Sequence, residues 1–206
     1  MKMKKIRASR EQVLSWILII GGLIGLIAAF IITIEKLSLL QNAAYQPSCN
    51  LDPIISCGSV MKSAQSHIFG FPNPLIGLIA FPIVITTGVV LASGVKLKRW
   101  YMIGLQLGTI FGLAFVHWLF FQSTYRINAL CPYCIAAWIV TITIFWYTLQ
   151  YNLRQKFITV PRALQKISSF IQAHHLDILV VWFLVLLFFI LKHFWYYYGP
   201  LWGFVT

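Results

Sequence analysis

Four cysteines carry the reactive chemistry of this chain, and two of them stand at a spacing built for redox work. Cys131 and Cys134 form a Cys-Pro-Tyr-Cys pair where a polar segment meets a long apolar run. Pro132 suits the first position of a helix, where its missing N–H costs nothing. Cys131 is then the capping residue, and Cys134 lies on the same side one turn along. A thiol at a helix start sees unpaired N–H groups and the positive end of the helix dipole, and both favour the reactive thiolate. Residues three apart on a helix can close a small disulfide ring, so the pair can cycle. The other two cysteines, Cys49 and Cys57, lie in a loop between the first two apolar runs.

Less reactive readings compete. A structural disulfide between Cys49 and Cys57 suits an oxidising compartment. A Cys-x-x-Cys closure is a poor staple, because its loop is tiny and removes little chain entropy. Four cysteines could hold zinc, but an oxidising compartment disfavours that, and no metal is assigned. Cys-Pro-Tyr-Cys also occurs in soluble glutaredoxins, but the strand–helix–strand context they need is missing here.

The elements that position these sulfurs follow from composition. Of 206 residues, 60% are hydrophobic and only 10% charged. A soluble domain cannot hide that much apolar surface, so the chain reads as an all-α integral membrane protein. Its net charge of +12 is no nucleic-acid signal, because the basic residues sit in short segments flanking apolar runs. Five runs are long enough to span: 13–34, 74–92, 101–121, 132–151 and 178–198. Each needs roughly 20 residues to cross the hydrocarbon, where the backbone must satisfy itself as helix. The first exceeds the about 7–15-residue apolar core of a cleaved signal peptide and reads as a retained helix.

Orientation follows from Lys and Arg. Twelve of the sixteen lie in the N-terminal segment, the second-to-third connection and the fourth-to-fifth connection; Lys36, Lys62, Arg126 and Lys192 lie on the other side. The positive side is cytoplasmic, which places the N-terminus inside, the C-terminus outside, and both cysteine pairs outside. Two dithiols facing each other at a membrane surface suggest electron transfer between proteins and something dissolved in the bilayer. In the outer loop, residues 35–73, the spacing of Val60, Met61, Ala64 and Ile68 predicts a short amphipathic helix lying on the membrane. Phe71-Pro72-Asn73-Pro74 then turns the chain into the second spanning helix.

Further residues have simpler expectations. His117 is ionisable within an apolar run and so a functional candidate; the favoured reading is a neutral histidine hydrogen-bonded within the bundle. Trp118, Phe121, Trp138, Trp195 and the tyrosines 196–198 read as interfacial belts. Gly21, Gly22, Gly25, Gly104, Gly108 and Gly112 read as sites of close helix packing. Asp177 reads as the cap of the fifth helix.

The order of a loop cysteine pair followed by Cys-x-x-Cys at the start of the fourth helix resembles the vitamin K epoxide reductase family, especially its bacterial disulfide-forming members. Also similar are Cys49-x7-Cys57-Gly58-Ser59-Val60, Ser63 and Phe71-Pro72-Asn73-Pro74-Leu75-Ile76-Gly77, and the likeness covers roughly residues 16–151. The resemblance implies a four-helix transmembrane bundle around a quinone (menaquinone or ubiquinone), with a fifth helix outside it. It divides the chain into a cytoplasmic segment 1–12, a catalytic bundle 13–151, a cytoplasmic connection 152–176, and a fifth helix with outer tail 177–206. By the same likeness, Cys134 is the thiolate that touches the quinone ring and Cys131 its partner, attacked by Cys57. Cys49 exchanges with a thioredoxin-fold protein, and Asn73 hydrogen-bonds a quinone carbonyl while Ser63 supports the site.

Two departures matter. Vertebrate members carry a tyrosine four residues past the motif's second cysteine; Trp138 stands there, with an indole N–H as the available donor. That puts epoxide reduction in doubt more than quinone reduction. The chain ends at Thr206 without a fused thioredoxin-like domain, so the expected partner, a DsbA-like protein, comes in trans. The resulting expectation is a cell-membrane thiol oxidoreductase, active on the extracytoplasmic side, that sustains disulfide formation in exported proteins. The disulfide bond protein B family performs a similar reaction with the two cysteine pairs in the opposite order. An epoxide reductase proper and a membrane protein with two structural disulfides are the remaining alternatives.

Overall fold

In hydrocarbon every backbone N–H and C=O must find a partner within its own segment, and this chain meets the requirement entirely with helices. A computed structural model describes residues 2–42 and 44–201. It contains α1 (Lys2–Gln41), α2 (Cys57–Lys62), α3 (Pro74–Ala92), α4 (Arg99–Gln122), α5 (Pro132–Arg154), α6 (Gln165–Ala173), α7 (His175–His193) and α8 (Trp195–Leu201). Among the described residues there is no β-strand, only isolated bridges. Five helical stretches are long and apolar enough to cross a membrane: Glu11–Gln41, Pro74–Ala92, Arg99–Ile127, Pro132–Arg154 and His175–His193. Residues 202–206, at the end of the expected outer tail, lie outside the described residues.

Helix α1 packs along α3 and α5, and α4 packs along α5. Leu14, Leu18, Ala29, Phe81, Val84, Met102, Val140 and Ile144 form the shared core. Helix α7 leans on α5 through Trp182, whose ring meets Trp146 edge-on at 6.2 Å. Trp146 Nε1 donates to His175 O at 2.8 Å. The rest of α7 presents Val180, Val181, Leu184 and Phe188 outward, as suits a lipid-facing surface.

The structure corrects the expected outline in several places. Helix α1 runs seven residues past Ile34, because nothing between Glu35 and Gln41 breaks it and its two charged residues turn inward. Glu35 accepts from Ser48 Oγ at 2.7 Å, and Lys36 Nζ donates to Met61 O and Ser66 Oγ. The loop between α1 and α3 is correspondingly shorter. Its single expected amphipathic helix is two pieces, α2 and a 3-10 turn over Ala64–His67, with extended Ser63 between them. Met61 points into the core at 2% exposure while Ile68 stays exposed. Helix α5 is preceded by a π-turn, Ser123–Ile127, which ends at Asn128 in the left-handed conformation, one that asparagine tolerates. The fifth run breaks at Phe194, which is fully buried in one cluster with Ile54 of the cysteine loop and Leu130 of the segment before α5. Asp177 is not the cap of α7 but lies in its first turn, where its carboxylate accepts from His174 Nδ1 at 2.9 Å.

Candidate active site

The loop that carries Cys57 is held by its own side chains. Asp52 Oδ1 accepts from the N–H groups of Ile54 and Ile55 at 2.8 and 2.7 Å, which turns the chain tightly. Asn50 Oδ1 accepts from Gly58 N at 2.9 Å. Ser56 caps α2 by accepting from Ser59 N at 3.2 Å. This unit is then pinned to the segment before α5: Ser56 N donates to Leu130 O at 2.9 Å, and Leu130 N donates to Ile54 O at 2.7 Å. Ser56 immediately precedes Cys57, and Leu130 immediately precedes Cys131. The bridge therefore delivers one sulfur to the other.

The result is a compact sulfur cluster. Cys49 and Cys57 are joined in a disulfide, with Cα atoms 5.6 Å apart. Cys131 and Cys134 are free thiols. The Sγ atoms of Cys57 and Cys131 lie 3.1 Å apart, and both residues are fully buried. Cys131 caps α5 in extended conformation and Pro132 opens the helix, as the motif leads one to expect. A hydrogen bond from the Cys134 thiol holds the Cys131 thiol below its ordinary range, overcoming the opposing effect of burial. The sulfurs of Cys49, Cys57 and Cys131 fall within 4.8 Å of one another, a span a metal ion could bridge. Metal ligation requires thiolates, however, and the disulfide consumes two of these three. The arrangement suits thiol–disulfide exchange: an attacking sulfur, a disulfide within van der Waals reach, and a lowered thiol pKa.

Beneath the sulfurs lies a cavity of about 520 Å³, within the range of about 300–1,000 Å³ typical of small-molecule sites. Its walls come from α3 and α4, between which the bundle is not closed, with α1 and α5 behind. Gly77 and Phe81, then Gly104, Gly108, Gly112 and Phe115, make broad apolar surfaces, a shape that admits a flat ring. Polar groups gather at the sulfur end, where Lys36, Ser63, Ser66, Asn73, Cys131 and Cys134 all line the space. The residues present thus fit a quinone: an apolar slot, hydrogen-bond donors at one end, and a dithiol beside them.

Each residue singled out from sequence has a definite place. Asn73 is buried and lines the cavity; its Nδ2 donates to Gln65 O at 2.7 Å and its Oδ1 accepts from Ile68 N at 3.2 Å. One N–H of that amide remains for a ligand. Ser63 lines the cavity while its hydroxyl donates to Val60 O at 2.7 Å. Trp138 is 5% exposed and stands in the cavity wall against Phe120, so it is no part of an interfacial belt. His117 Nδ1 bonds Leu113 O at 2.9 Å while its Nε2 accepts from Trp182 Nε1 at 3.0 Å. That pairing ties α4 to α7. The glycines divide: those of α1 pack closely, whereas Gly104 and Gly108 abut nothing and open the cavity.

Sequence reasoning missed Lys36, which it counted only as one of four outer charges. The available signal was its place seven residues past Ala29 and four past Ile32, both of which also line the cavity. A search of curated proteins finds no match. The profile of the Vitamin K epoxide reductase family matches residues 16–149.

Proposed function

Because the chain belongs to the vitamin K epoxide reductase family, we propose that it is a quinone-linked thiol oxidoreductase that drives disulfide formation outside the cytoplasm. Helices α1, α3, α4 and α5, residues 13–151, are the catalytic bundle, and α7 with the outer tail, within 177–206, is a fifth spanning unit. Residues 1–12 and 152–176 face the cytoplasm, where the basic residues concentrate. The sulfur cluster faces outward in the cell membrane. The observation that carries the reading is the 3.1 Å separation of Cys57 Sγ and Cys131 Sγ directly above a ring-sized cavity that Cys134 also lines.

A reduced thioredoxin-fold partner, DsbA-like and acting in trans, attacks the Cys49–Cys57 disulfide at Cys49. Exchange leaves the partner oxidised and Cys49 and Cys57 as thiols. Cys57 then attacks Cys131 of an oxidised Cys131–Cys134 pair, which releases Cys134 as thiolate. Cys49 displaces Cys131 from Cys57, and the Cys49–Cys57 disulfide re-forms. The described state, one disulfide and two free thiols, corresponds to this point of the cycle. A quinone, menaquinone or ubiquinone, held in the cavity would take up the two electrons and two protons released as the Cys131–Cys134 disulfide closes. Asn73 orients the ring through its free amide N–H, Ser63 supports the loop, and Trp138 offers the indole N–H.

Purified protein mixed with a short-chain quinone and a reduced thioredoxin-fold protein is expected to consume quinone absorbance in a thiol-dependent way. Cys134→Ala abolishes that loss, and Cys131→Ser stops after one equivalent of partner is oxidised, with Cys49 and Cys57 left as free thiols that a thiol-labelling reagent detects. Full activity in Cys134→Ala would overturn the reading in favour of two structural disulfides.

A further inference from the structure

Lys36 is the charged side chain that the electron relay leaves unused. It is 9% exposed, lines the cavity, and makes no ion pair with any carboxylate among the described residues. A buried charge without a counterion is costly unless something else compensates it. Its neighbour Glu35 does not fill that role, because Glu35 is turned to Ser48. Two of the three ammonium N–H groups are accounted for, by Met61 O and by Ser66 Oγ at 3.1 Å. The third meets no protein acceptor among the described residues, and lysine offers three donors and no acceptor.

Ser66 also fixes where that donor stands. Asn73 N donates to Ser66 O at 2.9 Å, while Lys36 bonds the hydroxyl of the same residue. The asparagine amide and the lysine ammonium therefore share one end of the slot, the end that holds Cys131 and Cys134. A mere tether between α1 and the loop could be made by a neutral donor, at lower desolvation cost. A fixed positive charge in a water-poor slot does more, because it favours a ligand oxygen on which negative charge develops.

Resting on the quinone reading above, we propose that Lys36 is a positioning residue of the ring site: its ammonium binds the same end of the ligand as Asn73 and confers a preference for an oxygen bearing negative charge. The cavity then selects planar rings with an anionic or strongly polarised oxygen over neutral rings of equal size.

The test compares two probes in the fully oxidised protein, where no turnover occurs: neutral 1,4-naphthoquinone and 2-hydroxy-1,4-naphthoquinone, which is an anion at neutral pH. Binding is read by quenching of tryptophan fluorescence, with Trp138 in the cavity wall. Wild type is expected to bind the anion more tightly than the neutral ring. Lys36→Gln, which keeps an amide donor but no charge, is expected to weaken the anion about tenfold or more, the size of one charge-assisted hydrogen bond, and to erase the preference. Lys36→Arg retains it, and Ser66→Ala, which removes a tether but not the charge, keeps most of it. An unchanged preference in a folded Lys36→Gln, or an equal loss in Ser66→Ala, overturns the proposal. Should Lys36→Gln fail to fold, Lys36→Arg and Ser66→Ala still decide it: loss of the preference in Lys36→Arg, with the charge intact, also overturns it. Saturable binding of neither probe by wild type is a different result: it refutes the quinone reading itself, and the role of Lys36 with it.

Discussion

Two glycine rows of the same character do opposite work in this molecule. On α1, a Cβ added at Gly25 would stand 2.3 Å from the Phe81 ring and one at Gly22 would stand 2.6 Å from Ile85 Cγ1. Here glycine lets α1 and α3 approach more closely than any side chain permits. On α4, a Cβ at Gly104 or Gly108 would meet nothing within 4 Å, and one at Gly112 would approach only Thr141 Cγ2, at 3.2 Å. All three line the cavity. The first row closes a seam, the second keeps a slot open. Small residues in a membrane helix therefore mark closeness to something, and that something is a neighbouring backbone in one case and a ligand space in the other.

The largest expected effect comes from filling the slot. Gly108→Leu should lower quinone turnover about a hundredfold, the scale of losing a productive ligand position, while its unfolding temperature in detergent stays near wild type. An equal loss of stability would mean that the α4 row packs after all. Next in size, Gly25→Ala should destabilise the protein by about 1–3 kcal/mol through overpacking against Phe81, seen as a lowered unfolding temperature. Unchanged stability would erase the contrast.

A third measurement separates access from sulfur chemistry. The Cys131 pKa is lowered, chiefly by its hydrogen bond from Cys134, so thiolate forms at lower pH than in an ordinary thiol. In Gly108→Leu the pH profile of Cys131 alkylation by a small reagent should keep this low midpoint. In Cys134→Ala the midpoint should rise, because the stabilising bond is gone. A rise in Gly108→Leu would show that the row acts on the thiols rather than on the ring. The smallest effect belongs to Gly104→Ala, expected to be neutral or stabilising by no more than about 1 kcal/mol, since alanine is the better helix former. Marked destabilisation there would place a hidden neighbour against α4.

Much of this was legible in the linear chain. The five apolar runs correspond to five stretches able to span, and the Cys131-Pro132 pair opens α5 as its types require. What escaped detection has physical reasons. Helix α1 outlasts its apolar run because Glu35 and Lys36 find partners in a loop far along the chain. The loop helix breaks at Ser63, and the last spanning helix at Phe194, because Met61 and Phe194 are drawn into separate cores. Trp138 faces inward for a reason that its type, common in interfacial belts, does not reveal. Asp177 sits in the first turn of α7 and not at its cap, since helix ends are set by local backbone geometry and not by residue type alone.

The amino-acid order alone determined that this chain is helical and membrane-embedded, since lipid offers no partner for an open backbone. It also limited any thiol–disulfide chemistry to four sulfur atoms, because the chain has four cysteines. Tertiary structure decided the rest: that Cys57 rather than Cys49 touches Cys131, that α3 and α4 stand apart over a slot, and that Lys36 turns into it. Periodicity tells which residues share a helix face, but what that face meets is set by how distant segments pack. Here a two-bond bridge between Ser56, Ile54 and Leu130 makes that choice for the sulfurs.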